Sequence, residues 1–87
     1  MIDLLAGFST FMDASGRITR LPAKLSKKNQ LCLQLLQLFE FERTYSDAEV
    51  RDLLLRYVDD FAFVRRTLVD TGYMDRDRYC LEYRRIK

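Results

Sequence analysis

Two short amphipathic helices joined by a tight turn constrain the fold of this chain more than any other feature. Ser46 to Glu49 have the pattern of a capping box, in which each residue's side chain accepts a hydrogen bond from the other's amide. Tyr45 and Val50 occupy the two positions of a hydrophobic staple. The apolar residues that follow at helical spacing predict a buried stripe, with Leu55 outside it: Val50, Leu53, Leu54, Tyr57 and Val58.

The second helix of this pair is predicted over residues 61–71. Asp59 and Asp60 precede it, and one of them is expected to be its N-cap, where the helix dipole favours a negative charge. Gly72 is the expected C-cap. Residues 73–75 and 79–86 alternate in the manner of two strands around a polar turn. Two helices, a tight turn between them and a following hairpin make the winged-helix pattern.

The first part of the chain predicts three more elements. Leu4, Leu5, Phe8, Phe11 and Met12 lie on one face of a helix over residues 2–12. A turn at 13–16 leads to a short strand over 17–21, which Pro22 ends, and a further helix is predicted over 24–39. The fold class is therefore α+β, mainly helical, with element order α-β-α-α-α-β-β.

Composition limits both size and chemistry. The 87 residues are 48% hydrophobic, which describes one domain, an N-terminal helix (1–12) followed by a winged-helix-like core (13–87). There is no histidine, which excludes Ser-His and Cys-His nucleophile systems and most zinc sites. Cys32 and Cys80 are too far apart in sequence for a metal motif, and no glycine-rich phosphate loop is present. We expect a non-enzymatic protein without metal or cofactor.

The chain shows no pattern of a secretion signal or a membrane span, so a cytoplasmic location is expected. In that compartment, Cys32 and Cys80 are interpreted as reduced, buried or half-buried thiols.

Arg65 is unusual because it lies between Phe61 and Val69, on the core side of its helix. The favoured interpretation is a structural arginine that pairs with a carboxylate, with Glu49, Asp59 and Asp60 as candidates, since an unpaired buried charge is costly. Ligand binding at Arg65 and the Asp59-Asp60 pair is the weaker alternative. Ser46, Glu49, Asp59 and Asp60 are likewise assigned structural roles.

Charge is uneven along a chain whose formal net charge is +2. Residues 17–28 hold five basic side chains and no acid, and residues 65–87 hold seven basic and four acidic ones. Residues 40–60 carry seven acids against three arginines, and a helix there would be repelled by a DNA backbone. An exposed Arg66 could instead form an i,i+4 pair with Asp70.

One hypothesis is a transcription-associated module that binds double-stranded DNA. In this hypothesis Arg66 and Thr67 contact the bases, and the other basic candidates contact phosphates. Those phosphate candidates are Arg17, Arg20, Lys24, Lys27, Lys28, Arg84 and Arg85.

The alternative is a protein-interaction or self-associating module that does not bind nucleic acid. Leu33, Leu55 and Phe63 lie off the buried stripes of their helices, and exposed apolar groups that cluster mark partner sites. A single patch formed by these three would favour this second hypothesis.

Several stretches resemble the bacterial family called domain of unknown function 2087. They are Gly16-Arg17, residues 21–24, Tyr45-Ser46, Glu49-Val50, Asp60, residues 65–70, Gly72, Arg76 and Tyr83. The resemblance implies a helical domain with a winged-helix-like end, often attached to transcription regulators, with no established activity. The chain departs from the family pattern at four places. Val58 stands where a His is usual, and Arg51 stands where an Asn is usual. Tyr79-Cys80 replaces an Asp-Gly turn, and Arg84 replaces a Trp.

Overall fold

The computed structural model describes residues 5–79 and 81–87. Its helices are α1 (Leu25–Leu35), α2 (Asp47–Leu55) and α3 (Phe61–Asp70). Its strands are β1 (Thr44–Ser46), β2 (Met74–Arg76) and β3 (Glu82–Arg85). One 3₁₀ turn, Ser9–Phe11, precedes α1, and a second, Leu36–Leu38, extends it. The α+β class is confirmed.

The start of α2 and the end of α3 are as the sequence predicts. The Ser46 hydroxyl accepts from the Glu49 amide at 3.1 Å, and the Ser46 amide donates to Glu49 Oε1 at 3.0 Å, which completes the capping box. Gly72 at φ +83° follows α3. The Gly72 amide donates to the Val69 carbonyl and the Tyr73 amide to the Leu68 carbonyl, which is the Schellman pattern. The helix α2 is shorter than predicted, since Tyr57 and Val58 lie beyond its end.

A three-stranded antiparallel sheet has the order β1-β3-β2. The hairpin β2–β3 is confirmed, with shorter strands than predicted. Strand β1 was not predicted, because Tyr45 was interpreted only as a residue of the hydrophobic staple. In the structure Tyr45 pairs with Tyr83 across β1 and β3, and both side chains are buried in the core.

The predicted N-terminal helix is wrong over the described residues, and its residues 1–4 lie outside them. Gly7 takes φ +88°, which ends any helical path, and only the short 3₁₀ turn follows. Leu5 and Phe8 are nevertheless buried. Leu5 and Phe8 are therefore core residues, as their apolar spacing predicted, but they reach the core without a helix.

The predicted strand over 17–21 is also wrong. Only Ile18 forms bridges, antiparallel to Met12 and parallel to Val58. Its amide donates to the Tyr57 carbonyl at 2.8 Å, and its carbonyl accepts from the Asp59 amide at 2.9 Å. The alternation predicted the burial of Ile18 correctly, but its two bridges are isolated and do not extend into a strand.

The core joins all three helices to the inner face of the sheet. Its largest fully buried side chains include Phe8, Phe39, Leu31, Leu35 and Leu54. Within the described ranges, no helix has the length and apolar character needed to cross a membrane.

Candidate nucleic-acid interface

Helix α3 is fixed by its N-cap and by two buried residues. The Asp60 carboxylate accepts from the Phe63 amide at 3.2 Å, so Asp60 is the N-cap that the sequence left open between two residues. Val64 and Leu68 are buried. Arg66 is exposed, and the structure gives it no ion pair with Asp70 or with another described residue. The exposed face of α3 therefore presents a guanidinium without a carboxylate partner.

Arg65 lies on the side of α3 that faces α2 and the sheet. Its Nη1 donates to Asp47 Oδ1 at 2.8 Å, and its guanidinium lies 5.4 Å from the ring centroid of Phe61 and 6.0 Å from that of Tyr83. The carboxylate partner predicted from the sequence was wrong, because Asp47 in the first turn of α2 takes the place of Glu49, Asp59 and Asp60. Arg65 thus links the start of α2, α3 and β3.

Thr67 does not face outward, which corrects its placement among base-contacting residues. It lies towards α1, where its side chain forms a hydrogen bond with the thiol of Cys32. Burial raises the pKa of the Cys32 thiol to about 11, and the Thr67 bond offsets part of that rise. Cys32 is a free, buried thiol, whereas Cys80 lies outside the described residues.

Two of the basic DNA candidates, Arg17 and Arg20, form bonds within the fold. Arg17 forms an ion pair with Asp59, and its Nε donates to the Leu55 carbonyl at 2.9 Å. The Arg20 Nη2 donates to the Thr10 carbonyl at 3.0 Å. These contacts direct Arg17 and Arg20 towards neighbouring segments of the chain.

Arg85 binds backbone carbonyl groups at the carboxyl end of α1 and the 3₁₀ turn that extends it. Its Nη1 donates to the Phe39 carbonyl at 3.1 Å, and its guanidinium lies 4.1 Å from the Phe41 ring centroid. Positive charge near the last carbonyls of a helix is favourable, so this arginine has a structural role.

Arg84 and Arg76 lie on opposite faces of the hairpin. Arg76 is opposite Tyr83 in the register, and Tyr83 is buried against the helices. Arg84 is opposite Thr44 and Asp75, one residue further along, and is exposed. Since alternate strand residues face opposite ways, Arg84 points away from α3. Arg76 therefore lies on the α3 side of the hairpin, and it was not among the DNA contacts predicted from the sequence.

The lysines at the start of α1 have no carboxylate partner among the described residues, and Lys24 is exposed whereas Lys27 and Lys28 are half-buried. Lys24, Lys27 and Lys28 form none of the ion pairs in the described structure. Lys27 Nζ lies 4.6 Å from the ring centroid of Phe8, and Lys28 Nζ lies 5.6 Å from that of Phe63 on α3. The second contact places the amino end of α1 beside α3.

A concave surface lies between α3 and the hairpin, with a volume of about 670 Å³. Phe63, Arg66 and Arg76 line it, and Asp60 and Asp70 add opposite charge. Arg76 could be found from the sequence only by knowing the strand register, because its own neighbours, Asp75 and Asp77, give no sign of which face it occupies.

The three interaction candidates do not behave alike. Leu33 is exposed, whereas Leu55 and Phe63 are half-buried, and Phe63 packs against the core. Leu33 lines a cavity of about 270 Å³ between α1 and α3, and Phe63 lines the separate concave surface by the hairpin. Sequence spacing missed the more exposed apolar side chains, which are Leu25, Phe41, Tyr79, Leu81 and Ile86.

The structure contains no group of three or more metal-ligating side chains among residues 5–79 and 81–87.

Comparison with known proteins places the chain in one family. No curated protein and no solved structure matches the sequence. The sequence profile of one bacterial family does match, and it covers residues 17–85, from Arg17 through β3. The chain therefore belongs to the family described as "Uncharacterized protein conserved in bacteria (DUF2087)".

Proposed function

We propose that this protein is a cytoplasmic, non-enzymatic, winged-helix-like module that binds double-stranded DNA in a transcription-associated role. The element order α1-β1-α2-α3-β2-β3 and the sheet order β1-β3-β2 support it, because the hairpin follows directly after the helix pair. A fold hosts many functions, so the proposal depends on the surface rather than on the topology alone.

The observation that carries the proposal is the contact between Lys28 and Phe63. It joins the amino end of α1 to α3, where Arg66 lies one turn further on and Arg76 lines the same concave surface. Residues 14–39 contain no Asp or Glu, so the lysines of α1 have no carboxylate nearby in sequence. Together Lys28, Arg66 and Arg76 place basic side chains on two helices and the hairpin, although Asp47, Asp60 and Asp70 line the same concave surface.

On this surface Arg66 is the base-reading residue, because an exposed arginine on a helix can bind guanine through two hydrogen bonds in the major groove. The phosphates are contacted by the lysines of α1 and one hairpin arginine, which are Lys24, Lys27, Lys28 and Arg76. Arg17, Arg20 and Arg85 bond within the fold, and Arg84 faces the other side of the sheet. The interface is therefore smaller than the one predicted from the sequence.

The acids near this surface are partly committed to other contacts. Asp60 accepts from the Phe63 amide, and Asp47 pairs with Arg65. Their charge still weakens the attraction for DNA at distances within a Debye length, about 10 Å at 0.1 M salt. We therefore expect micromolar affinity for random-sequence duplex at low salt.

The test is fluorescence anisotropy of a labelled random-sequence duplex, titrated with protein over a range of salt concentrations. The log-log slope should become shallower by about 0.9 for each phosphate contact that is lost. Lys28→Ala should show this change. Arg84→Ala removes the same charge from the opposite face and is the matched control, with an expected slope equal to that of the unmodified protein.

Loss of affinity with Arg84→Ala but not with Lys28→Ala would contradict the proposed face. No binding of the unmodified protein at low salt would contradict DNA binding itself. The exposed Leu33 beside its cavity favours the second candidate, a protein-interaction or self-association module. Concentration-dependent sedimentation that Leu33→Ser abolishes would support that candidate.

A further inference from the structure

The concave surface between α3 and the hairpin has the size and the mixture of groups of a small-molecule site. Its volume of about 670 Å³ lies within the range of about 300–1,000 Å³ that is usual for such sites. Three arginines and three aspartates line it, which are Arg65, Arg66, Arg76, Asp47, Asp60 and Asp70. The two signs of charge are balanced, which suits a ligand that carries one negative and one positive group.

Arg65 is a positive group that the fold already holds in place. Its Nη1 donates to Asp47 Oδ1 at 2.8 Å, and its guanidinium lies within reach of the rings of Phe61 and Tyr83. Among the described residues, only Asp47 accepts a hydrogen bond from Arg65, although a guanidinium carries several N–H donors. Because a side chain that is already ordered loses little entropy on binding, Arg65 is prearranged to bind a carboxylate.

Asp70 is the negative group that the fold leaves without a partner. Asp47 and Asp60 each accept a hydrogen bond, from Arg65 and from the Phe63 amide. The exposed Asp70 forms no ion pair or hydrogen bond within the described part of the chain. It is also the last residue of α3, where the negative end of the helix dipole makes a carboxylate unfavourable. A ligand ammonium at Asp70 would offset this cost.

Apolar groups line the same surface. Phe63 and Val69 are half-buried, and both pack against the core. The exposed parts of their side chains offer an area that an apolar group of a ligand can remove from water.

We infer that this concave surface binds a free α-amino acid with a large apolar side chain. Arg65 and Arg66 bind its carboxylate, Asp70 binds its ammonium, and Phe63 and Val69 contact its side chain. Both charges of an α-amino acid are attached to one carbon atom, and Arg66 and Asp70 are neighbours one turn apart on α3. The inference does not need the proposed DNA binding, but Arg66 takes part in both, so the amino acid and a duplex would compete for it.

The first experiment compares three ligands that share one aromatic ring. L-Phenylalanine carries both charges, phenylpropionate lacks the ammonium, and phenylethylamine lacks the carboxylate. Each is titrated into the unmodified protein, and the chemical shifts of the backbone amides are recorded. We expect phenylalanine to bind about tenfold more tightly than either analogue, because each analogue loses a hydrogen bond between charged groups. The shifts should be largest over residues 62–70.

The second experiment repeats these titrations with three variants. Asp70→Asn should weaken the binding of phenylalanine about tenfold without weakening that of phenylpropionate, which has no ammonium. Arg66→Gln should weaken both. Arg84→Gln removes the same charge from the opposite face of the hairpin and is the matched control, with unchanged affinities. The melting temperature of Asp70→Asn should not fall, since an unfavourable charge at the end of α3 is removed.

Equal affinities of the unmodified protein for phenylalanine and phenylpropionate would overturn the amino-acid site in favour of a site for carboxylates alone. Failure of all three ligands to bind, up to their solubility limits, would overturn a small-molecule site at this surface. An equal loss of phenylalanine affinity in Arg84→Gln would also contradict it. None of these titrations contains a duplex, so each outcome is distinct from success or failure of the DNA titration.

Discussion

Arg65 shows how a charged residue on the core side of a helix is accommodated. Its side chain is 27% exposed, its guanidinium bonds to Asp47, and the rings of Phe61 and Tyr83 lie within about 6 Å. Arginine packs its aliphatic stem against apolar groups while its head bonds at the edge. Because the residues it contacts come from α2, α3 and β3, Arg65 positions the hairpin relative to the proposed recognition helix.

Replacement of Arg65 should destabilise the domain. We expect Arg65→Ala to lower the free energy of unfolding by about 2 kcal/mol, because both the ion pair and the packing against two rings are lost. A double-mutant cycle with Asp47→Ala, followed by urea unfolding, should give a coupling of about 1 kcal/mol, since the Asp47 side chain is partly screened by solvent. Arg66→Ala, the exposed neighbour, should change stability by less than about 0.5 kcal/mol. A coupling of zero would contradict the pair.

Cys32 should be unreactive in the folded protein. With its pKa raised to about 11 by burial, about one thiol in a thousand is ionised at pH 8, and the thiolate is the nucleophile. In a Cys80→Ser background, iodoacetamide should modify Cys32 at least about 100-fold more slowly in buffer than in urea. Similar rates in both solutions would contradict the buried position between α1 and α3.

At the scale of elements, local sequence signals predicted the structure correctly where hydrogen bonds join residues that are close in sequence. The capping box of α2, the N-cap and C-cap of α3 and the hairpin were all predicted, because each depends on residues a few positions apart. Strand β1 and the path of residues 5–21 were not predicted. Their backbone partners, Tyr83 for Tyr45 and Tyr57 for Ile18, are far away in sequence.

The hairpin turn should lose stability in acid. Hydrogen bonds from the Glu82 and Leu81 amides lower the pKa of Asp77 in the folded protein. A carboxyl with a lower pKa in the folded than in the unfolded state stabilises the fold above its unfolded pKa, about 4, and that contribution disappears as pH falls through the folded value. Asp77→Asn, which keeps one acceptor, should reduce the acid dependence of unfolding by urea without removing the turn.

Asp13 and Glu49 also have lowered pKa values, from bonds with nearby Ser and backbone groups, so part of the acid dependence should remain in the variant. Parallel stability curves for the two proteins at every pH would contradict the role of Asp77.

At the scale of the whole molecule, the core extends beyond the residues that the family profile matches. The profile begins at residue 17, whereas Phe8 is fully buried and belongs to the same core cluster as Leu31 and Leu68. The N-terminal segment therefore completes the core although it forms no helix over its described residues.

Phe8→Ala should consequently cost about 3–5 kcal/mol in the free energy of unfolding, the range for a large buried aromatic. Phe41→Ala is the matched control, because Phe41 is 58% exposed and should lose less than about 1 kcal/mol. Urea denaturation followed by circular dichroism measures both. Equal losses would mean that Phe8 is not part of the core in solution.

The sequence by itself determined the fold class, the helix boundaries marked by caps and the apolar residues that fill the core, because periodicity and capping act within a few residues. Only the tertiary structure decided which charged side chains form ion pairs: Asp47 pairs with Arg65, and Asp59 pairs with Arg17. It also decided that Arg76 rather than Arg84 faces α3. Such pairings depend on strand register and helix packing, which bring together residues that no local spacing relates.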